Sequence, residues 1–164
     1  MGQNPIPITV LIIFSLTVQS ETVDDTRIVY EGLWSTFQGS VIAPDSSFYV
    51  TDQLGDSARL TFNGKRCPSL PPPANIVRVG TAISVFGLRD TIAGFYNITL
   101  DGETTQYDAQ SVWEEGAVLF YATGLDPERT HSLIITNAEN NFLAIGYINT
   151  TSVSGVSMQV LYIL

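Results

Sequence analysis

Apolar and polar residues alternate with a period of two along most of the chain beyond position 26, and Gly, Asn, Asp and Pro interrupt the alternation at short intervals. The pattern predicts strands over 27–30, 47–51, 58–62, 76–79, 82–87, 94–100, 118–123, 131–136, 142–148 and 158–163. Outside the first twenty residues no stretch carries helical periodicity. Many short strands with frequent turn signals imply an all-β fold, a single antiparallel β-sandwich or jelly roll. One strand can be read face by face. In FYNITLDG, Tyr96, Ile98 and Leu100 point one way and Asn97, Thr99 and Asp101 the other, with Asp101-Gly102 closing a tight turn. The same rule applied to NFLAIGYINTT puts Leu143, Ile145, Tyr147 and Asn149 on one face. If the first three are core, Asn149 is accessible only where the chain has left the sheet.

The segment 65–79 breaks the pattern. It holds Pro68, Pro71, Pro72 and Pro73 and the chain's one cysteine, Cys67. Consecutive prolines favour a stiff extended segment without amide donors. It reads as a Pro-rich loop inserted between the strands at 60–62 and 82–86, bulging outward without displacing the sheet. With the insert set aside, those two strands are expected to form a hairpin.

The start of the chain reads differently again. Residues 8–18, ITVLIIFSLTV, form an apolar run of signal-peptide length, too short to span a bilayer comfortably, and Val18-Gln19-Ser20 offers slim residues before a cut. Every charged residue lies after Ser20. The expected organisation is a signal peptide over 1–20, a short linker over 21–26 and a sandwich over 27–164. Asn97-Ile98-Thr99 and Asn149-Thr150-Thr151 fit the N-glycosylation pattern, in keeping with a secreted, extracellular protein. No other run approaches the length of a membrane span.

Charge and composition narrow the chemistry. The chain has 164 residues, 45% hydrophobic, enough for one packed core. Seven Lys and Arg face sixteen Asp and Glu, for a net charge of −9, which argues against a nucleic-acid partner. One cysteine and one histidine exclude an internal disulfide and a multi-cysteine or two-histidine metal site. No nucleophile-elbow or calcium-loop pattern occurs, and no metal or cofactor is expected. His131 reads as a surface or strand-end histidine, and the dispersed carboxylates as a solubilising surface. The aromatics are left as the candidates for binding. Exposed Trp and Tyr stack on the apolar faces of sugars. Trp113 and Tyr107, near predicted turns, and Trp34, just after the first strand of the sandwich, are the candidate ligand-binding residues. Core packing is the competing reading for Trp34 and for Trp113.

Ordered short motifs also suggest a family. They include Ile28-Val29-Tyr30-Glu31-Gly32-Leu33-Trp34, Gly80-Thr81, Phe86-Gly87, Leu100-Asp101-Gly102, Gly124-Leu125, His131, Thr136-Asn137 and Tyr147-Ile148. Together they resemble a galactose-binding-like β-sandwich module of fungal, basidiomycete-type exported or membrane-anchored proteins, over roughly residues 27 to 150. The insert at 65–79 departs from that module, as do Ala144 and Gly146 where relatives often carry acidic residues. The resemblance implies a non-catalytic extracellular surface or secreted module that binds a glycan or cell-wall polysaccharide, with longer relatives membrane-anchored. The alternatives are a structural or interaction ectodomain with no small ligand and, less favoured, a hydrolase.

Overall fold

The computed structural model describes residues 9–23, 27–38, 47–63 and 81–163. Their strands are β1 (Thr9–Thr22), β2 (Ile28–Glu31), β3 (Ser35–Gln38), β4 (Ser47–Thr51), β5 (Ser57–Asn63), β6 (Thr81–Arg89), β7 (Phe95–Leu100), β8 (Glu103–Asp108), β9 (Glu114–Leu125), β10 (Thr130–Asn137) and β11 (Leu143–Ile163). They form two antiparallel sheets. Sheet A has six strands, β3-β4-β11-β6-β9 with β1 on β11, and sheet B has five, β2-β5-β10-β7-β8. The architecture is an all-β sandwich of the jelly-roll kind, as the alternation implies.

Most predicted strands lie within observed ones, with several differences. The stretches 142–148 and 158–163 are parts of one strand, β11. β3 and β8 were not anticipated. β8, ETTQYD, is an edge strand with mostly exposed, polar side chains, so it lacks the apolar alternation that marks a half-buried strand. The strands that flank the insert are not paired with each other in this chain, because β5 lies in sheet B and β6 in sheet A. The insert itself, the predicted strand at 76–79 and Cys67 lie outside the described residues. β1 occupies the stretch expected as a leader and pairs with β11 from Thr9↔Ile163 to Thr22↔Asn149.

The core lies between the sheets. Sheet B contributes Leu60, Phe62, Tyr96, Ile98, Leu133 and Ile135, and sheet A contributes Ile83, Val85, Leu119, Phe120, Ile145 and Ile148. Burying side chains of this size stabilises the fold by about 1.5–3 kcal/mol each relative to leaving them exposed. Tyr96 also ties the layers together: from β7 its hydroxyl donates to the Leu119 carbonyl of β9. Burial, together with nearby Tyr107 and Asp108, pushes its pKa up to about 12 despite the opposing pull of Arg89. The phenol therefore stays a donor throughout the physiological range.

In FYNITLDG the faces are as expected, with Tyr96 and Ile98 buried and Asn97 half-exposed. Asp101 and Gly102 take positive φ, 51° and 91°, and close the β7–β8 turn. In NFLAIGYINTT the expectation fails. The β11–β6 register shifts between Ile145 and Tyr147, at Gly146. This bulge inverts the parity of everything after it. Ile148 is buried in the core, while Tyr147 is exposed and Asn149 shares its outward face without leaving the sheet.

Candidate functional site

The connections β2–β3, β4–β5, β6–β7, β8–β9 and β10–β11 gather at one end of the sandwich, as the strand registers require. Trp34 and Trp113 both lie there, but the fold does not bring them together. Trp34 joins β2 to β3 and Trp113 precedes β9, so they sit at opposite edges of sheets whose central three strands separate them. Trp34 packs partly on the core: its indole N–H donates to the Glu31 carbonyl at 3.1 Å, and its ring lies 5.1 Å from Tyr30. Gly32 sets this turn with φ of 108°, and a Cβ there would strike the Asp56 carboxylate, which accepts from Leu33 N–H and the Thr51 hydroxyl. Tyr107 points inward, 5.7 Å from Tyr96 and 5.8 Å from Phe120. Trp113 is exposed.

A different set of aromatics converges on the outer face of sheet A. In register order these are Phe37 on β3, Phe48 on β4, Tyr147 on β11, Phe86 on β6 and Val118 on β9; Phe48 is itself buried, packed with Leu88 and Ala144. Phe48 lies against Gly146, the bulge residue that precedes Tyr147. At about 4.8 Å per strand spacing the uninterrupted outward part, Tyr147, Phe86 and Val118, extends roughly 10 Å across the sheet, with Phe37 beyond the buried Phe48. Phe86 and Tyr147 stack at 4.5 Å with rings 16° apart. Phe37, Tyr147 and Val118 are 44%, 41% and 49% exposed, and Tyr121 in the next row is 58% exposed. That next row is Asn149, Ser84 and Tyr121, polar groups beside a ring. The Asn149 Oδ1 is enclosed and has no hydrogen-bond partner.

Two bulges produce this surface. The one at Gly146 turns Tyr147 outward. The other, between Val85 and Phe86 against β9, lets Leu119 and Phe120 both turn inward while Val118 and Tyr121 remain outside. Part of the row was readable in the sequence: in AISVFGL, Phe86 shares the face that Ser84 marks as wet. Tyr147 and Tyr121 were not, because strict alternation assigns Tyr147 to the core and a bulge leaves no local residue signature in AVLFYATGL.

The histidine lies at the other end and is not on the surface. His131 is 3% exposed, which corrects the expectation of a surface side chain. Its Nδ1 lies 2.7 Å from Asp101 Oδ2 and its Nε2 2.8 Å from the Asp126 carbonyl. Burial pushes the Asp101 carboxyl up, but hydrogen bonds from His131 and Ser132 N–H outweigh it and hold the pKa below the ordinary value. The cluster ties the β7–β8 turn to the β9–β10 turn. A pocket of about 300 Å³ also opens at this end, lined in part by Gln19, Glu21, Arg27 and Thr81. Gln19 and Glu21 straddle the cut expected after Ser20, so the pocket as described belongs to the uncut chain. Among the described residues no three His, Cys, Asp or Glu side chains come together as a metal site, and no helix is long and apolar enough to cross a membrane.

An antiparallel jelly-roll sandwich is a fold shared with carbohydrate-active proteins of known structure. A GH26-CBM35 β-(1,4)-mannanase from Podospora anserina matches 83% of this chain with a TM-score of 0.51 at 11% identity. An exo-β-1,3-galactanase from Phanerochaete chrysosporium, solved with galactose, matches 81% with a TM-score of 0.50 at 11% identity. The chain spans 28% and 29% of those two proteins, less than a third of either. At such identity the likeness is one of fold. No family model and no curated protein matches the chain.

Proposed function

We propose that this protein is a non-catalytic extracellular module that binds glycans on the outer face of sheet A. The single observation behind the reading is the outward set of exposed Phe37, Tyr147 and Val118 with half-buried Phe86, and Tyr121 beside it. Rings on a sheet face match the apolar C–H faces of sugars, and flanking polar groups such as Ser84 orient the hydroxyls. The net charge of −9 disfavours polyanions, so neutral polysaccharides are the expected class. That both solved neighbours are named for carbohydrate chemistry supports the ligand class. The non-catalytic reading is supported by the engagement of both His131 ring nitrogens with protein acceptors, which leaves neither free as a base. The apolar run at 8–18 and the two sequons support export. If the leader is removed after Ser20, most of β1 goes with it, and N-terminal sequencing of protein recovered from medium tests that directly.

Binding by stacking and a few hydrogen bonds implies Kd of about 0.1–1 mM, or ~4–5.5 kcal/mol. The test is titration of neutral cell-wall polysaccharides against wild-type protein and Tyr147→Ala/Tyr121→Ala, both made in a host that adds no N-glycans. We expect binding by the wild type and at least a tenfold loss in the variant. Absence of binding by the wild type overturns the reading in favour of an interaction ectodomain.

A further inference from the structure

Both sequons lie in mid-strand on solvent faces, and both have the same neighbours. Asn97 follows Phe95 and precedes Thr99 on the outer face of sheet B; Asn149 follows Tyr147 and precedes Thr151 on the outer face of sheet A. In each case an exposed aromatic, Phe95 at 40% and Tyr147 at 41%, shares the face two residues before the asparagine. Along a strand that offset is about 6.6 Å, within reach of the first sugar of an attached glycan. Of the two, only Asn149 borders a stacked pair of rings, Tyr147 and Phe86.

We propose that Asn149 carries an N-linked glycan whose first sugars pack on Tyr147 and Phe86, so that the aromatic row is covered in cis and opens to external glycans only in the unmodified form. The proposal rests on the reading of the protein as exported and glycan-binding. The transfer uses a lipid-diphosphate-linked oligosaccharide. The bond between sugar C1 and the phosphate oxygen breaks, a bond from C1 to the Asn149 Nδ2 forms, the lipid diphosphate leaves, and the amide loses one proton. The bulge at Gly146 is what makes the site possible: without it Asn149 would face the core and a glycan could not be accommodated once the strand is in the sheet. Asn97 supplies the internal comparison. Its face carries Thr99, Thr104 and Gln106, so a glycan there meets Phe95 and otherwise polar surface.

The test uses the full chain secreted from a glycosylating eukaryotic host. Peptide mass spectrometry after enzymatic deglycosylation in heavy-oxygen water reports occupancy at each sequon. Tyrosine nitration, read on the same peptides, reports whether Tyr147 is covered. Thr151→Ala removes the Asn149 sequon while keeping the asparagine, and Thr99→Ala does the same for Asn97. We expect Asn149 to be occupied, Tyr147 nitration to rise at least fivefold in Thr151→Ala, and no change at Tyr147 in Thr99→Ala. An unoccupied Asn149, or nitration of Tyr147 that is equal with and without its glycan, overturns the proposal. Neither readout depends on polysaccharide binding. A failure of binding in Thr151→Ala therefore counts against the glycan-binding reading alone.

Discussion

The two sheets of the sandwich are built to different rules. In sheet B all four ladders run without a register shift, and the outer face is mostly polar, carrying Arg59, Thr61, Asn97, Thr99, Thr104 and Gln106 with Val29, Phe95 and Ile134 among them. In sheet A the β11–β6 and β6–β9 ladders both shift register, and the outer face carries Phe37, Phe86, Tyr147, Val118 and Tyr121. The regular sheet is wet on its outside in the ordinary way of an antiparallel layer. The irregular sheet presents aromatics to solvent, and it does so through its irregularities. A bulge re-aims side chains at the cost of a disrupted ladder. Here two bulges place rings outside while still filling the core with Leu119, Phe120 and Ile148.

The harshest way to break this contrast is Ile148→Asn. The bulge at Gly146 turns Ile148 into the core and Tyr147 out of it. Losing the burial of Ile148 and burying an unpartnered amide together cost at least about 4 kcal/mol, a large part of the about 5–15 kcal/mol that holds a typical domain. We expect loss of cooperative urea unfolding in Ile148→Asn and retention of it in Tyr147→Asn. An Ile148→Asn variant that unfolds cooperatively at the wild-type midpoint would show that the bulge does not set the faces.

Sheet B offers the next largest effect. His131→Ala removes the ring that bridges Asp101 and the Asp126 carbonyl, hydrogen bonds of a kind worth about 1.5–3 kcal/mol where a charged group takes part. Chemical denaturation at neutral pH measures this. The pH dependence adds a sign. The Asp101 pKa is depressed in the folded state, so its contribution is present above the unfolded value of about 3.9 and is lost as pH falls through the lower folded value. Wild-type stability should therefore fall on acidification below about pH 4, and His131→Ala should flatten that slope. An unchanged slope would separate the histidine from the carboxyl.

The same contrast explains what could be read from the sequence. FYNITLDG yields its faces directly because sheet B keeps the period of two from Tyr96 to Leu100 and ends on a turn pair. NFLAIGYINTT does not, since a glycine between two apolar residues looks the same whether or not it bulges. The buried His131 was missed for another reason. Its partner Asp101 is thirty positions away in sequence, and only the pairing of β7 with β10 makes them neighbours. The aromatics differ as well: Trp113 and Trp34 stand near turns, which a sequence marks locally, whereas the set on sheet A is assembled from separate strands, and only Phe86 carries a local sign of its face.

A smaller effect compares the faces by function. Phe37→Ala, at the edge of the row, should weaken polysaccharide binding by about threefold, or roughly 0.6 kcal/mol. Thr99→Val on sheet B should leave binding unchanged, although it removes the hydroxyl that lies 2.7 Å from that of Thr104. Isothermal titration of both variants reads the difference. Equal losses would mean that the two faces do not differ in function.

The smallest expected effect is at Trp113, and it sharpens the comparison most narrowly. The ring is 53% exposed and precedes an edge strand, so Trp113→Ala removes little buried area. Its effect on stability should stay within about 0.5 kcal/mol. If the outer face of sheet A is the binding surface, polysaccharide affinity should also stay within twofold, because β9 begins at Glu114 and the register carries Trp113 beyond the end of the row. If Trp113→Ala instead abolishes binding while Tyr147→Ala/Tyr121→Ala does not, the ligand sits on the loops at the end of the sandwich. The bulges of sheet A would then serve only to pack Leu119, Phe120 and Ile148, and the exposed rings would be their by-product.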